Sequence, residues 1–338
     1  MARKILLTRL RYAGDVVLTT PCVRRLRESF PDAEIVYLAE APYGELLKGN
    51  PFLSRVISVG FRSLGRLDYL RLLRRLSLDR YDIAIDLLAN PRSAILTAAT
   101  MSRIRVGTDH FPRSWAYTRR VGVRPCVRSA VEHHLEHLRS VGIEAQACEP
   151  ELFVSRDEAE RALRTLRTAG IAEPAKSVIL QPGAKWQSKR WPAERFAQLA
   201  ALIARESLVA VLLEGPGEEG AVQAVQREGR GLPLIGGLSL RELVGVLSVC
   251  GAYVGSDGGP AHISAALGKP TVAVFGPSEP DIWFPYRGSR AACVYERIDC
   301  RPCHLHECES VKCLTGIDAA RVLEALRRVL GKEASPRV

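Results

Sequence analysis

The segment Arg9-Leu10-Arg11-Tyr12-Ala13-Gly14-Asp15 follows an apolar run at Ile5-Leu6-Leu7. It places one glycine and an acid where a nucleotide-binding strand-to-helix turn usually carries a glycine-rich phosphate loop. An acid at a helix start partly cancels the positive end of the helix dipole, so this turn is poor company for a phosphate. Asp15 is therefore either a helix cap or a chemical tool, with Gly14 as the tight turn beside it. The stretch YVGSDGGPAH, residues 253 to 262, has the opposite character. A strand-like run ends at Gly255, and Ser256 or Asp257 can cap the helix that follows. Gly258 and Gly259 leave N–H groups open to an anion, and His262 falls on the first turn, within reach of the same ligand.

Two further loops complete the candidate chemistry. In LQPGAKWQSKRWP, residues 180 to 192, a strand ends in Pro182-Gly183-Ala184, and cations follow before Pro192 opens a helix. Loop cations beside free amides suit a diphosphate. Lys189 leads as the group that stabilises charge on a departing diphosphate, with Lys185 and Arg190 behind it. The segment EGPGEEG, residues 214 to 220, contains Gly215, Gly217 and Gly220 at GxGxxG spacing. Glu218 and Glu219 would repel a phosphate there, so the segment is not a dinucleotide fingerprint; Glu218 is better suited to accept hydrogen bonds from ribose hydroxyls.

The elements that must position these residues are short apolar strands alternating with helices. In the first half strands are expected at 4–10, 34–39, 55–59 and 82–88, and in the second at 177–181, 208–213, 232–235, 252–255 and 271–275. Such alternation implies parallel sheets covered by helices, and 338 residues suffice for two such domains. A helix from about Arg156 to Thr168, ended by Ala169-Gly170 and the Glu173-Pro174 break, puts the expected boundary near residue 170, giving domains 1–170 and 171–338. Asp318 starts a final helix, through Val322, Leu323, Leu326 and Leu330, that is free to pack back on the first domain. Ligands of doubly wound sheets sit beyond the carboxyl ends of the strands, so the expected active site is a cleft faced by both domains.

Composition narrows the function classes. The formal net charge is +11, which suits an anionic partner. Aromatics make up 6% and do not interleave with the arginines, so nucleic acid is not the expected partner. No apolar run reaches membrane-span length, and Arg9 and Arg11 interrupt any signal-peptide core, so a cytoplasmic protein is expected. Residues 66–76 form a helix with Tyr69, Leu70, Leu72, Leu73 and Leu76 on a packed face and Arg71, Arg74 and Arg75 on a wet one. That basic side allows peripheral contact with an anionic membrane surface. Nine cysteines in such a protein argue against a disulfide framework. Cys300, Cys303, Cys308 and Cys313 begin with zinc-like CxxC spacing, so a structural zinc competes there with a plain loop. His133 and His137, at i and i+4, read as residues of a surface or packed helix, because the HExxH order is absent and no third ligand is evident.

Taken together, Gly14-Asp15 with Pro21, the PGA…KRWP segment and SDGGPAH followed by Gly268-Lys269-Pro270 resemble glycosyltransferase family 9, the ADP-heptose:lipopolysaccharide heptosyltransferases. The resemblance runs from about residue 3 to 330, and the PGA and KRWP wording is nearer the heptosyltransferase II type. It implies a GT-B fold, two Rossmann-like domains in which the second holds the nucleotide sugar and the first the acceptor, and no cofactor or divalent metal for catalysis. By position, it implies Asp15 as catalytic base, and Lys189 with the amides of Asp257, Gly258 and Gly259 as diphosphate contacts. Gly183, Ala184 and Lys185 lie beside them, with His262 close by. Glu218 matches the ribose-binding acid and Leu238 falls at the adenine pocket. Some family members carry hydroxyl residues where this chain has Gly183-Ala184, which leaves phosphate contacts there to the backbone.

Displacement of ADP from an anomeric carbon needs a base for the acceptor hydroxyl and stabilisation of the leaving diphosphate, which these residues supply; direct attack inverts the anomeric centre. The acceptor implied is the lipopolysaccharide inner core on lipid A, reached at the inner face of the cytoplasmic membrane. Arg9, Gly14, Arg62 and Arg92 are candidate acceptor contacts. The competing readings are a GT-B transferase using another nucleotide sugar and a non-catalytic protein that binds nucleotide sugars or anionic glycans.

Overall fold

The apolar runs become central strands buried on both faces, which is why they read as near-continuous hydrophobic stretches. Residues 4–122, 129–229, 231–286 and 290–331 are described in this computed structural model. The chain divides into two units, Met1–Phe153 and Val154–Val338.

The first unit contains β1 (Lys4–Thr8), α1 (Ala13–Val17), α2 (Thr20–Ser29), β2 (Glu34–Glu40), β3 (Arg55–Val59) and α3 (Arg66–Leu78). It continues with β4 (Ile83–Asp86), α4 (Pro91–Ala99), β5 (Ile104–Thr108), β6 (Arg119–Val121) and α5 (Ala130–Arg139). Its sheet is parallel, in the order β3-β2-β1-β4-β5-β6. Ile5, Leu6 and Leu7 of β1 are fully buried, and Leu7 lies in register with Tyr37 of β2 and Ile85 of β4.

The second unit contains α6 (Arg156–Thr168), β7 (Ser177–Gln181), α7 (Ala193–Arg205), β8 (Val209–Leu213), α8 (Glu219–Glu228), β9 (Leu234–Ile235) and α9 (Leu240–Val249). Beyond these come β10 (Ala252–Ser256), α10 (Gly259–Ala266), β11 (Thr271–Phe275), α11 (Pro280–Trp283), β12 (Ala291–Tyr295), α12 (Lys312–Thr315) and α13 (Ala319–Val329). The parallel sheet runs β12-β11-β10-β7-β8-β9. Counted within its own unit, each sheet has the Rossmann order 3-2-1-4-5-6. The chain reverses direction of winding between β1 and β4, and again between β7 and β10.

Four expectations need correction. The break falls between Phe153 and Val154 rather than near 170. Glu151 is tied to the first unit through its ion pair with Arg24 and its N–H bond to Thr20 Oγ1, whereas Glu158 of α6 pairs with Arg241 of α9. Gly245 of α9 leaves just enough room for Ala162, so α6 belongs to the second unit. The final helix α13 likewise stays there: Val322, Leu323, Leu326 and Val329 join the core formed with Phe196, Leu199 and Val274. In α3 the packed side is Leu76, fully buried, with Tyr69, Leu72 and Leu73, while Leu70 is turned outward. Finally, β5, β6 and β12 were not among the expected strands. β6 is a three-residue edge strand with two exposed arginines, β5 is interrupted by Arg105, and β12 is a partly buried edge strand of small residues, AACVY. No helix among the described residues is long and apolar enough to cross a membrane.

Candidate active site

In the first unit the site begins where β1 stops. Asp15 sits at the third position of α1, and its Oδ2 accepts the Tyr12 N–H at 2.9 Å, a helix-capping bond. Its Oδ1 accepts from Arg9 Nη2 at 2.5 Å, while Arg9 Nη1 donates to Leu87 O at 2.6 Å. Arg9 thus reaches from β1 to the loop after β4, across the winding reversal, and holds one carboxylate oxygen. Capping and clamping fix the orientation of a half-buried acid that still touches solvent. Arg9 is largely buried and bonds both partners, which makes it a holder of Asp15. Arg62 follows β3 and Arg92 follows β4, both exposed; parallel pairing puts them on the same carboxyl edge as Asp15. Arg92 also stacks on Phe61 at 4.8 Å.

Sequence reasoning named His133 and His137 of α5 but missed the buried His134 between them. His137 Nδ1 donates to the His133 carbonyl at 3.0 Å, so its Nε2 is free to accept from the Thr108 hydroxyl at 3.1 Å. Burial lowers the pKa of His137 from 6.5 to about 3, and His133 and Arg9 push it the same way. Burial also holds His134 well below the usual range, with Arg9 again adding to it. These are core histidines kept neutral beside a cation, as the packed-helix expectation implied.

In the second unit the loops after β7, β8, β9 and β10 gather at one edge. Lys189 closes a short turn after β7, and Asp257 follows β10; their side chains pair at 2.5 Å across the second winding reversal. Asp257 is buried, and its N–H donates to Val274 O at 3.0 Å, so this amide is not available to a ligand as the sequence suggested. The amides of Gly258 and Gly259 precede the first helical bond of α10, His262 N–H to Gly258 O, and meet no acceptor among the described residues. His262 is buried against Phe284 and Tyr286.

Glu218 is the other fixed acid. It accepts from Gln181 Nε2 at 2.9 Å and from the Gly215 N–H at 3.0 Å, and Gln181 Oε1 in turn accepts from the buried Tyr253 hydroxyl at 2.7 Å. A Cβ on Gly183 would overlap the Glu218 carboxylate, which gives this glycine a steric reason. Ala184 is buried and its carbonyl accepts from Arg190 Nε at 3.0 Å, so Arg190 braces the loop; Lys185 is exposed. Leu238 is half-buried on the loop after β9, just ahead of Ser239, which caps α9. A separate cleft of about 680 Å³ between α6, α9 and β9 contains none of these residues.

Cys313 is buried in the core beside Leu314 and Ile317, while Cys300 is exposed. Among the described residues, no three His, Cys, Asp or Glu side chains meet in an arrangement that could hold a metal ion. The zinc expectation thus finds no support in the arrangement of these side chains.

The sequence and the fold are both similar to those of known proteins. The model of glycosyltransferase family 9 (heptosyltransferase) matches residues 69–314. Lipopolysaccharide heptosyltransferase 3 of Escherichia coli K12 is 24% identical over 96% of this chain and 97% of its own length. Lipopolysaccharide heptosyltransferase 2 of the same strain is 28% identical over 83% and 85%. A family 9 glycosyl transferase structure from Veillonella parvula superposes with a TM-score of 0.87 at 25% identity, covering 98% of both chains. The E. coli heptosyltransferase WaaC, solved with ADP, gives 0.75 at 20% identity over 96% and 99%. The fold is of the GT-B type, with two Rossmann-like domains.

Proposed function

This chain belongs to glycosyltransferase family 9, the heptosyltransferases, and from that premise we propose that it moves heptose from ADP-L-glycero-D-manno-heptose to the lipopolysaccharide inner core with inversion. The observation that carries the reading is the group formed by Lys189, Asp257 and the open amides of Gly258 and Gly259 at the carboxyl edge of the second sheet. A compact cation beside backbone donors matches the charge that develops on a departing diphosphate. Ala184 and Gly183 line the same loop, and His262 stands one helical turn on. Glu218 accepts the ribose hydroxyls, and Leu238 packs on the adenine. WaaC, a neighbour in fold, was solved with ADP, which favours an adenine donor.

In the first unit Asp15 takes the proton of the attacking acceptor hydroxyl. Oδ2 is the end held by the helix N-terminus and Oδ1 the end held by Arg9, so the carboxylate is aimed before the acceptor arrives. The hydroxyl oxygen bonds to the anomeric carbon as the bond to the ADP oxygen breaks on the opposite face, which inverts the centre. Charge on the leaving group is met by protein donors, with no divalent metal in the scheme. Exposed Arg62 and Arg92 suit an acceptor that carries phosphate or acid sugars. On α3, Leu67, Leu70 and Leu78 are each more than half exposed among Arg71, Arg74 and Arg75, a pattern suited to the surface of an anionic membrane.

The deciding experiment is calorimetry with ADP-heptose and with UDP-, GDP- and TDP-sugars. Tightest binding by ADP-heptose, followed by its transfer to a heptose-deficient core, supports the reading. Tighter binding of another base overturns the donor assignment.

A further inference from the structure

The cysteine segment, set aside as a metal site, touches the candidate diphosphate site directly. The His306 ring stacks on Trp186 with centroids 3.9 Å apart and planes 24° from parallel. The same Trp186 ring carries a cation: Lys189 Nζ lies 4.5 Å from its centroid. Backbone bonds lock the same two loops together. Ser188 N–H donates to His306 O at 3.2 Å, Ser188 Oγ donates to Leu305 O at 2.5 Å, and Cys308 N–H donates to Gln187 Oε1 at 3.2 Å.

The segment is itself anchored. The N–H groups of Cys303 and His304 both donate to Pro277 O at 3.2 Å, and Arg301 reaches Glu296 O and Ser278 O. Its far end enters the core at Cys313 and Leu314. Gly276 has no room for a Cβ against Ser188 O, so the loop after β11 presses on the Lys189 turn from below.

We infer that His306 is a positioning residue for Lys189: by stacking on Trp186 it fixes the aromatic surface on which the ammonium rests, beside Asp257, in the place where a nucleoside diphosphate is held. Lysine has four rotatable stem bonds, and an ammonium that must meet a diphosphate gains from having them ordered beforehand. Asp257 fixes one direction and the Trp186 ring the other. The inference rests on the proposed donor site, since it concerns the same cation.

Calorimetric titration with ADP tests it in the full chain, comparing the wild type with His306→Ala, His306→Phe, Lys189→Gln and the His306→Ala/Lys189→Gln double variant. His306 is exposed, so the fold should tolerate both substitutions. His306→Ala is expected to weaken ADP about fivefold, and His306→Phe, which keeps a stacking ring, to stay within about twofold of wild type. In the Lys189→Gln background, His306→Ala should add nothing. If His306→Ala binds ADP as the wild type does while Lys189→Gln is impaired, the positioning role is wrong and the donor site stands. A full additional loss in the double variant also overturns it, because His306 would then act without Lys189. Should Lys189→Gln itself bind ADP normally, the donor-site reading fails and takes this inference with it.

Discussion

Lys189 and Asp257 pair at 2.5 Å although 68 residues apart in the chain, and the pair spans the winding reversal between β7 and β10. Asp257 is buried, so removing its cation strands a carboxylate in a poorly solvated place. Lys189→Ala should lower unfolding stability by about 3 kcal/mol. The Lys189→Ala/Asp257→Ala double variant should recover most of that loss. Urea unfolding of the four proteins decides the matter, and equal stability of wild type and Lys189→Ala would show that the pair is not desolvated.

Asp15→Asn keeps the size and the cap-forming oxygen of the side chain but cannot take a proton. Transfer should fall by about two or more orders of magnitude, the scale for loss of a general base, with ADP affinity unchanged. Normal turnover by this variant would remove Asp15 from the chemistry. Arg9→Met, which frees Oδ1 of Asp15, should lower kcat while leaving donor KM as it was.

Gly183→Ala drives a methyl group into the Glu218 carboxylate. Glu218 must then leave its bonds to Gln181 and Gly215, so donor KM should rise about tenfold, as it should in Glu218→Ala, where the charged acceptor is lost. Deoxyribose analogues of the nucleotide separate the causes: if ribose is the partner, Glu218→Ala should no longer distinguish ADP from its deoxy form.

Acid should weaken the fold through its buried histidines. His137 has a pKa of about 3 in the native protein against 6.5 in the unfolded chain, chiefly through burial. Between those values the unfolded chain binds a proton that the native state does not, so stability is full above about pH 6.5 and falls as pH drops through that window. The slope is about 1.4 kcal/mol per pH unit for His137, with His134 adding to it in the same direction. Denaturant midpoints measured at pH 7, 6 and 5 should fall steadily. His137→Gln should flatten the slope by about one proton.

The outward leucines of α3 give a test that does not depend on catalysis. Leu67→Ser/Leu70→Ser/Leu78→Ser should reduce co-sedimentation with vesicles containing an anionic phospholipid, and high salt should reduce binding of the wild type. Equal binding of the wild type to neutral vesicles would exclude the arginine contribution, and no binding to either would exclude the membrane contact.

Much of the molecule was legible in the amino-acid order because local physics writes it there. Burial on both faces demands apolar runs, so β1, β7 and β11 declared themselves, and the glycine-acid or glycine-glycine turns after strands marked where chemistry would gather. The order of strands is another matter. Nothing local in β10 says that it lies beside β7, so the pairing of Lys189 with Asp257 was out of reach, and Asp257 was expected to offer an amide that Val274 already occupies. Arg9 reads in the sequence as a contact for an anionic acceptor, and only the fold shows that it also holds Asp15 and the Leu87 carbonyl. The spacing of Cys300, Cys303, Cys308 and Cys313 allowed a metal, and only the fold shows that no three such ligands gather among the described residues. Residue types and turns thus determined the kind of chemistry by themselves. Which side chains share a hydrogen bond was decided by long-range packing, because contacts between distant segments depend on how the whole sheet assembles.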